Sequence, residues 1–101
     1  MEFSSELQDN VIYGRFSGNI MFEHTGTLDD YLDGLLKAEA QEIIIDLSEV
    51  SGINSSAIGK IIDFHTRAHR SGRSFRIKGM SEKAYSVFKY FKLDELFPIE
   101  R

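Results

Sequence analysis

The stretch EIIIDLSEVSGINSSAIGK, residues 42–60, joins a predicted strand to the start of a predicted helix. Its first six residues are an unbroken run rich in isoleucine, which is typical of a strand in the centre of a sheet. Asn54, Ser55 and Ser56 then precede an apolar, periodic segment. Because Asn and Ser side-chain oxygens satisfy the free N–H groups of a first helical turn, they predict a helix start here. The paired serines also raise the hypothesis that one of them is chemically modified.

The segments after this helix start predict a helix, a strand and another helix. The first helix should extend over about seventeen residues and end at Gly72, a residue suited to the left-handed conformation. Its buried stripe should consist of Ile58, Ile61, Ile62, His65 and Ala68. SFRIK, residues 74–78, predicts a strand, after which Gly79 turns the chain. Ser81 should cap the last helix, and the apolar residues expected to pack from it and its tail are Ala84, Val87, Phe88, Phe91, Leu93, Leu96 and Phe97.

The N-terminal part predicts a hairpin followed by an amphipathic helix. EFSSEL (residues 2–7) and VIYGRFS (residues 11–17) are strand candidates, and the Asp9-Asn10 pair between them suits a tight turn. A helix is expected from about residue 21 to residue 38, with an acidic face opposite the buried stripe. The stripe should consist of Thr25, Leu28, Leu32 and Leu35.

The resulting order, β-β-α-β-α-β-α, predicts a single α/β domain over residues 1–101. Strands that alternate with helices imply partly parallel pairing, so we expect a mixed sheet of four to five strands, with an edge strand at Pro98-Ile99. Three helices cannot easily cover both faces of such a sheet. We therefore expect the helices mainly on one face.

Composition and charge argue against a nucleic-acid-binding, a secreted or a membrane-inserted protein. The net charge is −4, but it divides into −9 over residues 1–54 and +5 over residues 55–101. A pI of about 5.3 argues against a general nucleic-acid partner. The chain has no cysteine, and it has neither a secretory signal pattern nor an apolar segment long enough to insert into a membrane. These features predict a cytoplasmic location.

Known catalytic patterns fit the sequence poorly. Six residues separate Gly52 from Gly59, and Ile61 follows Lys60, so the phosphate-binding P-loop spacing is absent. His65 and His69 could share a metal, but neither a zinc-protease glutamate nor a third ligand accompanies them. A serine-hydrolase elbow is also missing. We therefore predict no enzymatic activity, no cofactor and no metal, and we keep a small histidine-dependent enzyme or metal protein as a minor alternative.

A serine at a helix N-terminus is chemically suited to phosphorylation. The helix dipole stabilises negative charge at an exposed N-terminus by about 0.3–1 kcal/mol. A phosphoryl group there would carry about −1.5 to −2 charges without unfolding the helix. Such a group would change the surface charge and leave the fold intact.

Residues 42–99 resemble the STAS domain of bacterial anti-sigma factor antagonists (anti-anti-sigma factors). In that family a strand ending in Asp-Leu leads through a short turn to Asp-Ser-Ser/Thr-Gly-Leu-Gly at a helix start. A glycine-ended helix, a strand and a helix before L-x-x-L-F follow. In this chain the pattern is carried by Asp46, Leu47, Val50, Ile53, the run 54–59, Gly72, Leu93, Leu96 and Phe97. The entry FSGNIMFEHTGTL to the first helix is similar to the family pattern as well.

The resemblance implies a switchable binding module. It makes Ser55 the phospho-acceptor, with Ser56 the second candidate. The partners it implies are an anti-sigma factor that is also a serine kinase, which binds the unphosphorylated form, and a PP2C-type phosphatase. Asn54 replaces the family aspartate, and Ala57 replaces a glycine where a partner backbone could approach. The expected partner-binding residues are Ser51, Asn54, Ser56, Ala57, Lys60, Asp63 and Arg67. The alternative function is a STAS subunit that docks without being phosphorylated, such as one regulating a transporter ATPase.

Overall fold

The computed structural model describes residues 1–100, and of Phe22 and Thr25 it describes the backbone alone. Its strands are β1 Glu2–Gln8, β2 Val11–Ile20, β3 Glu42–Ile53, β4 Ser74–Met80 and β5 Ile99–Glu100. Its α-helices are α1 Thr25–Lys37, α2 Ser55–Arg70 and α3 Glu82–Tyr90, and short 3-10 turns occupy Phe22–His24 and Leu93–Glu95. The predicted order of elements is therefore confirmed.

The five strands form one mixed sheet in sequence order. β1 and β2 pair antiparallel, with Gln8 opposite Val11 on either side of the predicted Asp9-Asn10 turn. The remaining neighbours, β2 with β3, β3 with β4, and β4 with β5, pair parallel. Parallel neighbours require crossover connections, and α1, α2 and α3 supply them.

The helices cover one face of the sheet. Along β2, Ile12 and Phe16 are buried, whereas Tyr13 and Arg15 between them are exposed on the opposite face. Ile44 of β3, which pairs with Tyr13, is an apolar residue on that opposite face. It is only 3% exposed but does not belong to the main core cluster.

Long charged side chains cover the helix-free face in place of a helix layer. Arg15 pairs with Asp46 at 3.4 Å, and Arg76 pairs with Glu42 at 3.2 Å. Ile44 lies between Tyr13 of β2 and Arg76 of β4 in the sheet. Because long side chains can shield apolar surface with their methylene groups, these neighbours account for the burial of Ile44 without a covering helix.

α1 packs on the sheet as the sequence predicts and is joined to α2 by ion pairs. Leu28, Leu32 and Leu35 are all buried. The side chain of Thr25, the fourth residue predicted for this stripe, lies outside the described residues. The acidic face of α1 does not simply face solvent, because two of its aspartates contact cations of α2, as described below.

The buried stripe of α2 differs from the predicted one. Phe64 is 1% exposed, and its ring meets that of Phe75 edge-on at 5.1 Å. Ile62 and His65, which were predicted to be buried, are only partly so. The predicted stripe and the observed stripe both have helical spacing. The contact with Phe75 of β4 decides that the stripe containing Phe64 is the buried one.

The C-terminal segment also corrects the sequence prediction. Phe91 and Leu96 were expected in the core, but their side chains are 45% and 47% exposed. Lys92 adopts a left-handed conformation (φ 58°), so the chain reverses direction immediately after α3. Leu93 and Phe97 then enter the core, and their neighbours in sequence are left outside.

Gly72 and Gly79, the two glycines predicted to end elements, differ in the structure. Gly72 has a φ of 78° and ends α2 as predicted, with the Arg73 N–H donating to the Ala68 carbonyl at 3.0 Å. Gly79 has a φ of 96° but lies inside β4 and does not turn the chain. A Cβ atom there would stand 2.7 Å from Oδ1 of Asp46, so the glycine leaves room for the side chain of Asp46 in β3.

β3 is longer than predicted. Residues 48–53, expected as a turn, continue the strand and pair with the end of β2, where Asn19 lies opposite Gly52 and Ile20 opposite Ile53. The strand therefore reaches the residue before the cap of α2. As a result, the candidate site is held by the sheet and not by a free loop.

Candidate functional site at the start of helix α2

Asn54 caps α2. Its backbone is extended (φ −98°, ψ 171°), and its Oδ1 accepts a hydrogen bond from the Ala57 N–H at 2.9 Å. Its carbonyl accepts the Ile58 N–H at 3.1 Å, which is the first bond of the helix. The cap is therefore the asparagine and neither of the two serines.

Ser55 and Ser56 occupy the first two helical positions. Ser55 is exposed and Ser56 is partly buried. Among the described residues, neither serine hydroxyl has an assigned hydrogen bond. Their backbone N–H groups belong to the first turn, which has no partners within the helix, and the Asn54 side chain satisfies only that of Ala57. An exposed hydroxyl thus lies at the positive end of a helix of 16 residues.

Gly59, one helical turn away from Ser55, has no side chain and therefore leaves its backbone uncovered at the surface. It is exposed, and a Cβ atom added to it would meet nothing within 4 Å apart from the helix's own backbone. Residues four apart lie on one side of a helix, so Gly59 borders Ser55. In the sequence, this glycine stands out only as part of the motif at residues 54–59. Its place on the predicted helix, one turn from the acceptor, could have identified it.

An apolar cleft adjoins the cap on the side of the sheet. Its lining combines the Asn19 and Asn54 amides with Ile20, Met21 and Ile53. Met21 is 46% exposed. The sequence alone does not predict this cleft, because Met21 and Ile53 lie 32 positions apart and only the pairing of β2 with β3 brings the two strand ends together.

The remaining residues predicted to bind a partner lie at different depths. Ser51, Asp63 and Arg67 are exposed, whereas Lys60 is partly buried. Ala57 is fully buried at 0% exposure. The expectation that its methyl group faces a partner backbone is therefore wrong. The methyl packs in the core because position 57 lies on the sheet side of α2, with Ile58 and Ile61.

The two cations of this surface are engaged by α1. Lys60 contacts Asp29 at 3.6 Å, and Arg67 contacts Asp33 at 2.8 Å. Arg67 also lies 3.8 Å from Asp63 of its own helix. The predicted partner-binding residues therefore include two cations that are already paired with carboxylates.

The histidine pair belongs to the other end of α2. The rings of His65 and His69 are 6.4 Å apart, and His65 lies 5.1 Å from the ring of Phe97 and 6.0 Å from that of Phe75. Burial lowers the pKa of His65 below its usual value, and the nearby charge of His69 lowers it further. Within residues 1–100, no three His, Cys, Asp or Glu side chains are grouped as they would be around a metal ion.

No helix among the described residues is long and apolar enough to span a membrane.

Fold and site together define an α/β domain whose candidate site is a surface at a helix N-terminus. The family model for the STAS domain matches residues 2–101, and the chain therefore belongs to the STAS-domain family.

Solved structures that share this fold include the following three. An anti-sigma factor antagonist from Mycobacterium paratuberculosis superposes with a TM-score of 0.88 at 18% identity, over 98% of this chain and 84% of the other. The unphosphorylated form of the anti-sigma factor antagonist SpoIIAA gives a TM-score of 0.80 at 14% identity, over 99% of this chain and 89% of the other. The phosphorylated form of SpoIIAA, a Bacillus cell fate determinant, gives 0.73 at 14% identity, over 99% and 92%.

Proposed function

We propose that this protein is an anti-sigma factor antagonist switched by phosphorylation of Ser55. In its unphosphorylated form it binds an anti-sigma factor that is also a serine kinase, and so frees the sigma factor. Phosphate on Ser55 ends the binding, and a PP2C-type phosphatase restores it. The protein acts by binding and is not itself an enzyme.

The capping geometry is the observation that carries this proposal. Asn54 accepts the Ala57 N–H, so the α2 start does not depend on either serine hydroxyl. Ser55 is exposed at the first helical position. A kinase can therefore modify this hydroxyl without removing a contact that holds the fold. That SpoIIAA has been solved in both phosphorylated and unphosphorylated forms supports the same role for a protein of this fold.

Phosphate would act through charge and desolvation at the contact surface. It would be stabilised in the free protein by the N–H groups and dipole of the first turn of α2. In the complex the same group would have to lose its water against partner groups that do not neutralise it. Mismatched charge at a buried interface costs about 2–5 kcal/mol, which is a roughly 30- to 4000-fold loss of affinity.

The surface we assign to the partner surrounds this residue. Its exposed or partly exposed members are Ser51, Asn54, Ser56, Gly59, Lys60, Asp63 and Arg67. The bare backbone at Gly59 supports close approach of a partner chain. Lys60 and Arg67 form ion pairs with α1. They therefore contribute to partner binding by fixing the position of α2 relative to α1 as well as by their charge.

Phosphorylation by a candidate anti-sigma serine kinase of the same organism tests the proposal. Incubation with that kinase and ATP should add one phosphate, located at Ser55 by mass spectrometry. Ser55→Ala should accept none, and the matched variant Ser56→Ala should accept one. Labelling that survives in Ser55→Ala and disappears in Ser56→Ala would transfer the role to Ser56. If no such kinase labels the protein, the docking subunit that works without phosphorylation becomes the better account.

A further inference from the structure

β1 is an outer strand whose free edge carries unpaired backbone groups. Among the described residues, β1 pairs only with β2. Gln8 and Val11 flank the two-residue turn, and such a turn closes on a hydrogen-bonded pair. Hydrogen-bonded and non-bonded pairs alternate from there along an antiparallel ladder. The N–H and C=O groups of Phe3, Ser5 and Leu7 therefore point away from β2.

The side chains of these three residues lie on the helix-covered face. Phe3 is held there by Tyr31 of α1, stacked at 4.4 Å, and by Phe16 at 4.7 Å. Leu7 is 54% exposed, although the residue opposite it in β2, Ile12, is buried. Ser5, between them, is small and exposed. The edge therefore has an anchored aromatic ring at one end and an uncovered leucine at the other.

We propose that β1 binds β1 of a second copy of this chain, antiparallel and about a two-fold axis at Ser5. In that register Phe3 of each copy lies opposite Leu7 of the other, and Ser5 lies opposite Ser5. The outward N–H and C=O groups of all three residues gain partners, and Leu7 is covered by an aromatic side chain. Aromatic and aliphatic side chains that face each other across paired strands stabilise the pairing.

Charge selects this register over its neighbours. On the helix-free face, the Ser5 axis places Glu2 opposite Gln8 and Glu6 opposite Ser4. An axis at Glu6 would place the two copies of that glutamate against each other, and an axis at Ser4 would place Glu2 against Glu6. Like charges directly opposite destabilise paired strands. The sequence EFSSELQ is thus complementary to itself in one antiparallel register.

The edge is only weakly protected against pairing. Natural edge strands are commonly blocked by proline, by charged side chains or by a bulge. β1 contains no proline and pairs with β2 without a register shift, and its two charged residues, Glu2 and Glu6, do not lie opposite each other in the Ser5 register.

α1 lies between β1 and α2. Its Tyr31 contacts β1, and its Asp29 and Asp33 contact α2. Pairing at β1 therefore leaves the Ser55 surface uncovered, and the dimer does not depend on the proposed phosphorylation.

Light scattering of the purified protein up to about 1 mM should show a dimer that dissociates on dilution. Ser5→Pro should abolish the dimer, because it removes an outward N–H that β2 does not use, and proline is tolerated on the free side of an edge strand. Leu7→Lys should weaken the dimer without touching the ladder. The matched control is Tyr90→Lys, which changes an 81% exposed aromatic residue on α3 and should leave association unchanged.

Engineered cysteines test the register directly, since the natural chain has none. Ser5→Cys should form an intermolecular disulfide under mild oxidation at least about tenfold faster than Leu7→Cys, because only position 5 lies opposite itself at a distance a disulfide can span. A protein that is monomeric at every concentration overturns the proposal. So does a dimer that survives in both Ser5→Pro and Leu7→Lys, or one in which the two cysteine variants cross-link equally fast.

Discussion

Oδ1 of Asn54 lies 2.9 Å from the backbone nitrogen of Ala57, and this contact decides which residue starts α2. The same role in α3 belongs to a serine, since Ser81 Oγ accepts the Ala84 N–H at 3.1 Å. One helix therefore uses a serine as its cap, whereas the other uses asparagine and leaves the following serine exposed. That difference makes the Ser55 hydroxyl available for chemistry.

Replacing the cap should cost more stability than replacing the candidate acceptor. Asn54→Ala should lower the free energy of unfolding by about 1 kcal/mol, because the Ala57 N–H loses its partner. Ser55→Ala should change it by less than about 0.5 kcal/mol. Urea unfolding followed by circular dichroism measures both. Equal losses in the two variants would mean that Ser55 also supports the helix.

Restoring the family carboxylate should affect the modification more than the fold. Asp and Asn cap helices comparably, so Asn54→Asp should leave the melting temperature nearly unchanged. If that carboxylate assists the acceptor hydroxyl or orders the kinase complex, the initial rate of phosphate transfer to Ser55 should rise. An unchanged or lower rate in Asn54→Asp would refute a role for the carboxylate in phosphorylation.

A charge at position 55 should weaken binding to the kinase without unfolding the protein. Ser55→Glu should lower the affinity substantially, though less than phosphate does because it carries one charge. Ser55→Gln has nearly the same shape without the charge and is the matched control. Isothermal titration with the kinase, together with thermal melting, separates the two effects. The charge mechanism fails if Glu and Gln weaken binding equally, or if Ser55→Glu melts far below the wild type.

Substitutions at two exposed helical glycines should separate an effect on kinase binding from an effect on the free energy of unfolding. Gly59 in α2 and Gly34 in α1 are both exposed, and a Cβ atom at either would meet nothing within 4 Å apart from its own helix backbone. Each Gly→Ala change should therefore raise the free energy of unfolding by about 0.5–1 kcal/mol. Only Gly59→Ala should also reduce kinase affinity, since it fills the surface beside Ser55. If the two variants bind the kinase alike, Gly59 is not part of the contact.

His65 should make the protein less stable as the pH falls below about 6.5. Its folded pKa lies below its usual value, first because of burial and then because of His69. The unfolded chain therefore takes up a proton at a pH where the folded chain does not, so the stabilising contribution is full above the unfolded pKa and is lost as the pH drops. The free energy of unfolding, measured by urea between about pH 7.5 and pH 5.5, should fall less in His65→Gln than in the wild type. In His69→Gln the dependence should shrink but persist, because burial is the larger cause. Identical slopes in the wild type and His65→Gln would contradict this assignment.

The local chemistry of the chain determined where its last two helices begin, where α2 ends and where the first hairpin turns. The Asn and Ser side chains before α2 and α3, the glycine after α2 and the Asp9-Asn10 turn each act within a few residues, so the sequence alone predicts them. The order of strands and helices follows from these signals. The helix start at Asn54, and with it the position of Ser55, could be predicted in the same way.

Tertiary structure decided which side of each element is buried. Ala57 and Gly59 are two residues apart, yet one is fully buried and the other exposed, because the angle at which α2 meets the sheet fixes its rotation. The same rotation buries Phe64 against Phe75 and leaves His65 partly exposed. The cleft at Met21 and Ile53 exists only because β2 and β3 end side by side. A local pattern specifies the periodicity of a helix or strand, but its orientation depends on contacts between residues far apart in the sequence.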